Sequence, residues 1–483
     1  MTLHSTRVLG LAALPLALAL AACGGGSGSS NPVAATDRIE SYDPGAGKAA
    51  AATSASQAAI TPAARTVALG PLAGAAAAKS ATATDAPGVA LQIGAARTVA
   101  DTASAAATSA LLQWQATARG TRAAALRFVA DGAHGVRLGV QVDALPDGSV
   151  LRFYGSAATD ATQVSAQQLR DMAQRNADAG AAVAEARTYW SPDFGGAETT
   201  LEIEIPASAS TAAVQIAVPR LSHFTLALAE AGSELAPGTG KVGEAGSCTI
   251  NASCMPDYLD QSRSVARMVY VKNGNAFLCT GTLLNDAKSS GTPYFLSANH
   301  CISDQLTASS LVTDWFYRAA ACGSSEVNPG ARRLSGGATL LYAAEATDVA
   351  LLKLNEAPPA GIVYAGSYFG AAPATGATLA GLHHPSGDLL KFSLGSVLGS
   401  ASCTSNAGCS SATNGNFIGL RWQQGITEGG SSGSAAFMPL DGKRYVVGQL
   451  LGGSSSCEDP AGPDFYGRFD LAYRSALQKW LNP

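Results

Sequence analysis

Three side chains, far apart in the chain, are of the types that together cleave acyl bonds. Ser432 lies in Glu428-Gly429-Gly430-Ser431-Ser432-Gly433-Ser434, a serine closely flanked by glycines after a strand-like run. Glycine allows a sharp turn and close approach to a scissile carbonyl. A hydroxyl alone is a weak nucleophile at neutral pH and needs a base and a group that orients the base. Gly-rich serine runs also serve as linkers, so this stretch gains meaning only from its partners. His300 ends the apolar run Phe295-Leu296-Ser297-Ala298-Asn299 and is followed at once by Cys301, whose disulfide would fix the histidine's loop. Asp348 heads Val349-Ala350-Leu351-Leu352-Lys353-Leu354, where a carboxylate can be buried and hold an imidazole in one tautomer.

The elements that must position these groups are strands. Runs at 265–271, 277–284, 294–298, 311–317, 348–354, 391–398, 417–422 and 445–450 are short, apolar or alternating, and separated by turn residues. Residues 243–483 therefore read as an all-β unit of two small barrels, closed by a helix at 470–481 with Leu471, Leu477 and Leu481 on one side. Residues 89–230 read as a small β-rich domain: strands at 136–142, 149–154, 201–205 and 213–218, and one helix over 161–186. It offers no convergent catalytic set, and His134 and His223 read as surface or satisfied core residues. Residues 23–88 are rich in Gly, Ala, Ser, Pro and Thr and read as a linker. So do residues 231–242, where Lys241 is an exposed point for maturation cleavage.

The chain has 483 residues, 47% hydrophobic and 14% charged, with a net charge of −4; that balance gives no electrostatic case for nucleic acid. Residues 1–22 read as a signal peptide: Arg7 precedes an apolar run too short for a comfortable membrane span. Leu20-Ala21-Ala22-Cys23 resembles a bacterial lipobox, with Cys23 as the lipidated residue and Gly24–Ser30 as a tether. Ordinary signal cleavage beside a stray cysteine is the alternative. The other eight cysteines lie after residue 247, an even number in an exported chain, and indicate disulfides rather than a metal site. No cofactor is implied.

Asn299-His300-Cys301, Asp348–Leu354 and Gly430–Ser434 resemble the trypsin/chymotrypsin family of serine proteases. With Gly246-Ser247-Cys248, Cys279-Thr280-Gly281, His383-His384-Pro385 and Tyr466-Gly467-Arg468, they are most similar to bacterial lysyl endopeptidases. The resemblance covers roughly residues 243–483 and implies a chymotrypsin-like double barrel with its site in the cleft. It makes Ser432 the nucleophile, His300 the base, Asp348 the orienter, and the N–H groups of Gly430 and Ser432 the oxyanion hole. It places Asp464 on the wall of the specificity pocket, two residues before Tyr466 and facing the same way, while the usual pocket-base position falls at apolar Ile426. Trp422 and Gly452 join Asp464 as substrate-binding residues. The disulfides it suggests are Cys248–Cys457, Cys254–Cys322 and Cys279–Cys301, which leaves Cys403 and Cys409 for each other. Two departures stand out. Ser431 replaces the aspartate that binds a freed N-terminus in trypsin, and Leu451 stands where lysyl endopeptidases stack a histidine on the tryptophan. His383 and His384 read as structural.

The expectation is a monomeric serine endopeptidase, exported and either anchored in the outer membrane through Cys23 or secreted after processing. It acts on peptides with lysine at the cleaved position and is made with an N-terminal prosegment that chaperones folding or blocks the cleft. The open alternatives are equal acceptance of lysine and arginine, or a surface binding protein on an inactive protease scaffold.

Overall fold

The strand pairing begins with a tight hairpin. Asn273-Gly274 both take left-handed backbone, the combination that turns two antiparallel strands in two residues, and they join Val265–Lys272 to Asn275–Leu284. Around this hairpin the sheet order is 332–334, 312–315, 265–272, 275–284, 294–298, 349–354 and 338–344, an open half-barrel rather than a closed one. The second barrel does close. Its strands Thr378–His383, Lys391–Thr404, Phe417–Gln424, Pro463–Arg468, Lys443–Gly453 and Ala435–Leu440 pair in that order, and the last returns to the first. A helical segment from Phe469 to Leu481, with a wider turn over Tyr473–Leu477, buries Leu477 and Leu481 against both barrels; Leu471 is only half-buried.

This computed structural model describes residues 37–45, 64–72, 87–156, 161–228, 245–404 and 408–483. The signal at 1–22, Cys23, and the linker 231–242 with Lys241 lie outside the described residues. No helix among the described residues is long and apolar enough to cross a membrane.

The N-terminal module contains a sheet ordered 65–69, 121–130, 198–206, 150–154 and 162–165. A second layer, Leu91–Thr98, Gln215–Phe224, Val136–Ala144 and Thr188–Trp190, packs on it. That second layer runs on into the half-barrel, because Leu91–Gly94 pairs with Ala276–Leu278. Ile93 and Phe224 from the module share a buried cluster with Val269, Leu278 and Val312, so Asp37–Pro483 packs as one unit.

Two sequence expectations are corrected here. The linker over 23–88 is not structureless throughout. Arg65–Leu69 adds a parallel strand to the module, and Arg38–Ile39 pairs with Gly366–Tyr368, with Ile39 buried. These fragments cannot fold alone but gain order by docking on a ready edge. The helix expected over 161–186 is shorter. Thr162–Ser165 is a strand, Ser165 and Gln168 form a reciprocal cap, and the helix covers Ala166–Asp178 before Gly180 turns left-handed. Val183–Ala186 is a separate short turn of helix.

Candidate active site

Register alone brings two of the three groups together. Strand Tyr294–Ala298 pairs antiparallel with Val349–Leu354, with Ala298 opposite Val349, so the residues just beyond each end must meet. Asp348 adopts left-handed backbone at φ 49° before its strand begins, a conformation uncommon outside glycine. Its Oδ1 accepts the His300 backbone N–H at 2.9 Å and its Oδ2 lies 2.7 Å from His300 Nδ1. A buried carboxylate so held makes Nδ1 the protonated nitrogen and leaves Nε2 as a base. The Cys279–Cys301 disulfide closes the same loop.

Ser432 arrives from the second barrel. Its carbonyl accepts the Thr280 N–H at 2.8 Å, and Thr280 follows the cysteine bonded to His300's neighbour. Among the described residues no hydrogen bond joins His300 Nε2 to Ser432 Oγ; Nε2 instead lies 3.7 Å from Cys301 Sγ. Catalytic hydrogen bonds commonly tighten only when substrate binds.

The loop before Ser432 is pinned by its carbonyls. Gly429 O accepts from Ser386 N–H, and Gly430 O accepts from Thr280 Oγ1 at 2.9 Å. Among the described residues, neither the Gly430 nor the Ser432 N–H donates within the protein. Gly430 is required for two reasons. Its φ is 92°, and an added Cβ would come within 2.8 Å of His384 O.

Asp464 and Ser432 line one cavity of about 320 Å³. Asp464 is fully buried, which excludes a solvated loop acid. Its Oδ2 accepts from Trp422 Nε1 at 2.5 Å, Thr427 Oγ1 at 2.6 Å and Ser455 Oγ at 2.8 Å, and its Oδ1 from Ser455 N–H at 3.2 Å. Burial nevertheless holds its pKa above the usual aspartate value, against the pull of these donors. Glu428 lines the same cavity, bonded to Gly246 N–H and Ser386 Oγ.

Trp422 is not in this cavity's lining and reaches it through Asp464. It is buried edge-on against Tyr466, and its indole N–H is turned to the Asp464 carboxylate. Gly452 does line it, and so does Leu451. The four disulfides are those expected: Cys248–Cys457, Cys254–Cys322, Cys279–Cys301 and Cys403–Cys409. Reading from sequence missed Thr280, Thr427 and Ser455, ordinary hydroxyl residues whose role appears only when the loops converge. Only Thr280 had a signal, its place beside Cys279.

One contact comes from the other module. Gly88 N–H donates to Leu451 O at 3.0 Å, Val89 lines the Asp464 cavity, and a Cβ on Gly452 would stand 3.0 Å from Pro87 Cα.

A mostly β molecule with one closed six-stranded barrel, a half-barrel and a C-terminal helix has the chymotrypsin-like fold, and this chain is a serine endopeptidase. The description "Lysyl endopeptidase, C-terminal domain" matches residues 242–467, and "Lysyl endopeptidase N-terminal domain" matches 68–225. The lysyl endopeptidase of Pseudomonas aeruginosa is 32% identical over 389 residues, covering 77% of this chain and 78% of that protein. The chain belongs to the lysyl endopeptidase family. Among solved structures, the active form of the Rv3671c protease from M. tuberculosis is 16% identical over 48% of this chain and 88% of its own, with a TM-score of 0.32. The MamO protease domain of Magnetospirillum magneticum is 11% identical over 45% and 98%, also at 0.32. Likenesses this distant decide nothing further.

Proposed function

We propose that this enzyme cleaves peptide bonds after lysine, through a Ser432–His300–Asp348 triad, and that it is made as a latent precursor. The observation that carries the specificity is Asp464, a buried acid in the cavity that Ser432 also lines. A lysine ammonium entering that cavity gives the carboxylate a counter-charge, and a neutral side chain leaves it unpaired. Removing one partner from such a buried pair costs ~3–5 kcal/mol. That the P. aeruginosa relative is a lysyl endopeptidase supports lysine over arginine.

In the reaction Ser432 Oγ attacks the carbonyl carbon while His300 Nε2 takes its proton. The Gly430 and Ser432 N–H groups receive the oxyanion. His300 then protonates the leaving amine, and water repeats the sequence on the acyl-enzyme. Asp348 orients His300 and stabilises the imidazolium.

The residue 89–230 module acts as a prosegment. Pro87–Val89 crosses Leu451 and Gly452 by a backbone hydrogen bond, as an extended peptide substrate would add to that edge. While attached, it competes with substrate; cleavage within 231–242 starts its removal. Export through residues 1–22, with Cys23 as anchor, completes the reading.

The deciding experiment is Asp464→Asn. kcat/KM on a lysine peptide is expected to fall about 10²- to 10⁴-fold, with little change on a neutral peptide. Unchanged lysine cleavage would sink the pocket assignment. Sequencing new C-termini from a digested peptide library separates lysine preference from equal use of arginine. Fluorophosphonate labelling of Ser432 separates an enzyme from an inert scaffold.

A further inference from the structure

The residue before the nucleophile is anchored by a group that the reaction scheme leaves unused. Ser431 is fully buried, and its Oγ lies 2.8 Å from Nδ1 of His383, the last residue of strand Thr378–His383. His383 Nε2 lies 2.9 Å from Ser393 Oγ on the neighbouring strand. Ser393 Oγ–H donates to Ile426 O at 3.0 Å, so toward His383 it can only accept. Nε2 therefore carries the proton, Nδ1 is the acceptor, and Ser431 Oγ–H donates to it. Ser431 Oγ in turn accepts the Glu428 N–H at 3.3 Å. The chain runs one way, from Glu428 N–H through Ser431, His383 and Ser393 to Ile426 O. It spans both ends of the loop that precedes Ser432.

We propose that His383 is a positioning residue for catalysis: its neutral imidazole, through Ser431, sets the 428–432 loop in the shape that presents the Gly430 and Ser432 N–H groups and the Ser432 hydroxyl. A charged imidazole has no acceptor site at Nδ1 and would break the chain at Ser431. The surroundings keep it neutral. Burial dominates, and the ammonium of Lys391, opposite it in the sheet register, opposes a further charge. Of the acids nearby, Asp388 is engaged by Lys391, and Glu428 by Gly246 N–H and Ser386 Oγ. The Tyr466 hydroxyl reaches the same strand at Gly381 and is buried with no charge to offer. The arrangement needs no ammonium from a newly cut N-terminus, so the loop takes its working shape before maturation, and among the described residues latency falls to Pro87–Val89.

This inference rests on Ser432 being the nucleophile, and the test keeps the two apart. Aliquots of the matured protein and its variants are titrated to completion with a fluorophosphonate to count reactive Ser432, and turnover of unlabelled aliquots is expressed per reactive site. His383→Gln keeps a donor toward Ser393 but leaves Ser431 without its acceptor. His383→Asn keeps an acceptor near Nδ1. Ser431→Ala removes the other partner with a smaller change. His383→Gln and Ser431→Ala are expected to lose about 10²–10³-fold in kcat with KM little altered, the size of a lost oxyanion donor. His383→Asn is expected to recover most of that loss, and the double variant to be no worse than either single. Wild-type kcat per site in His383→Gln or Ser431→Ala, or losses that multiply, would overturn the positioning role with the nucleophile intact. Absence of label on wild-type Ser432 would instead remove the nucleophile, and this role with it.

Discussion

Asp348 carries two demands at one position, and its substitutions separate them. The backbone must be left-handed, and the carboxylate must accept from the backbone N–H and the ring Nδ1–H of His300. Asparagine tolerates that backbone and keeps one acceptor, yet it cannot stabilise an imidazolium. Asp348→Asn is expected to fold normally, with an unchanged Tm, and to lose about 10⁴-fold in kcat. Asp348→Ala is expected to lose similar activity and also stability, roughly 1–2 kcal/mol, because alanine dislikes the left-handed region. Calorimetry beside steady-state kinetics checks both. Asp464 gives a pH prediction. Burial raises its pKa, so as pH falls it protonates before an ordinary aspartate and stops rewarding a cation. The ratio of lysine to neutral-peptide kcat/KM should therefore rise with pH through that elevated value, and the ratio for Asp464→Asn should stay flat. His300 acts on both substrates alike and cancels.

At the level of elements, strands with large alternating side chains were legible and alanine-rich ones were not. Tyr294–Ala298 has the bounds its apolar run implies. Thr121–Ala130 and Leu91–Thr98, with four and two alanines, have weak period-two contrast and show themselves only through pairing. The sequence points to the residues proposed for the triad because each sits in a distinctive local setting. The His383 chain was not, since its members come from three separate segments and none is chemically unusual alone. Alternation with Tyr466 and the resemblance both point to Asp464, while for Trp422 sequence gives its neighbourhood but not which way its ring turns. The Cys248–Cys457 disulfide ties the segment starting at Ala245 to the loop that supplies Ser455. Replacing both cysteines with serine is expected to cost ~2–4 kcal/mol in stability. KM for lysine peptides should rise several-fold, with a smaller change in kcat.

For the molecule as a whole, acid is the predicted weakness. Burial pushes both His383 and His384 down to about 3 from an ordinary 6.5. Above pH 6.5 both are neutral folded or unfolded, and stability is unaffected. As pH falls from 6.5 toward 3, the unfolded chain gains protons that the folded chain refuses. Each histidine then removes up to ~1.4 kcal/mol per pH unit. Denaturant melts between pH 7 and 4 should show this decline, reduced in a His384→Gln variant if it folds.

Arg137 of the N-terminal module is wholly buried and donates to Ser310 O at 2.6 Å and to Val269 O at 3.4 Å in the half-barrel. Together with the strand seam at Ala276–Leu278, it means that a cut in the connecting segment severs the chain without parting the halves. Scission and onset of turnover should thus be separated by a lag. Nicked protein should run as two bands in detergent but as one particle on a sizing column, still idle, until something digests the departing piece.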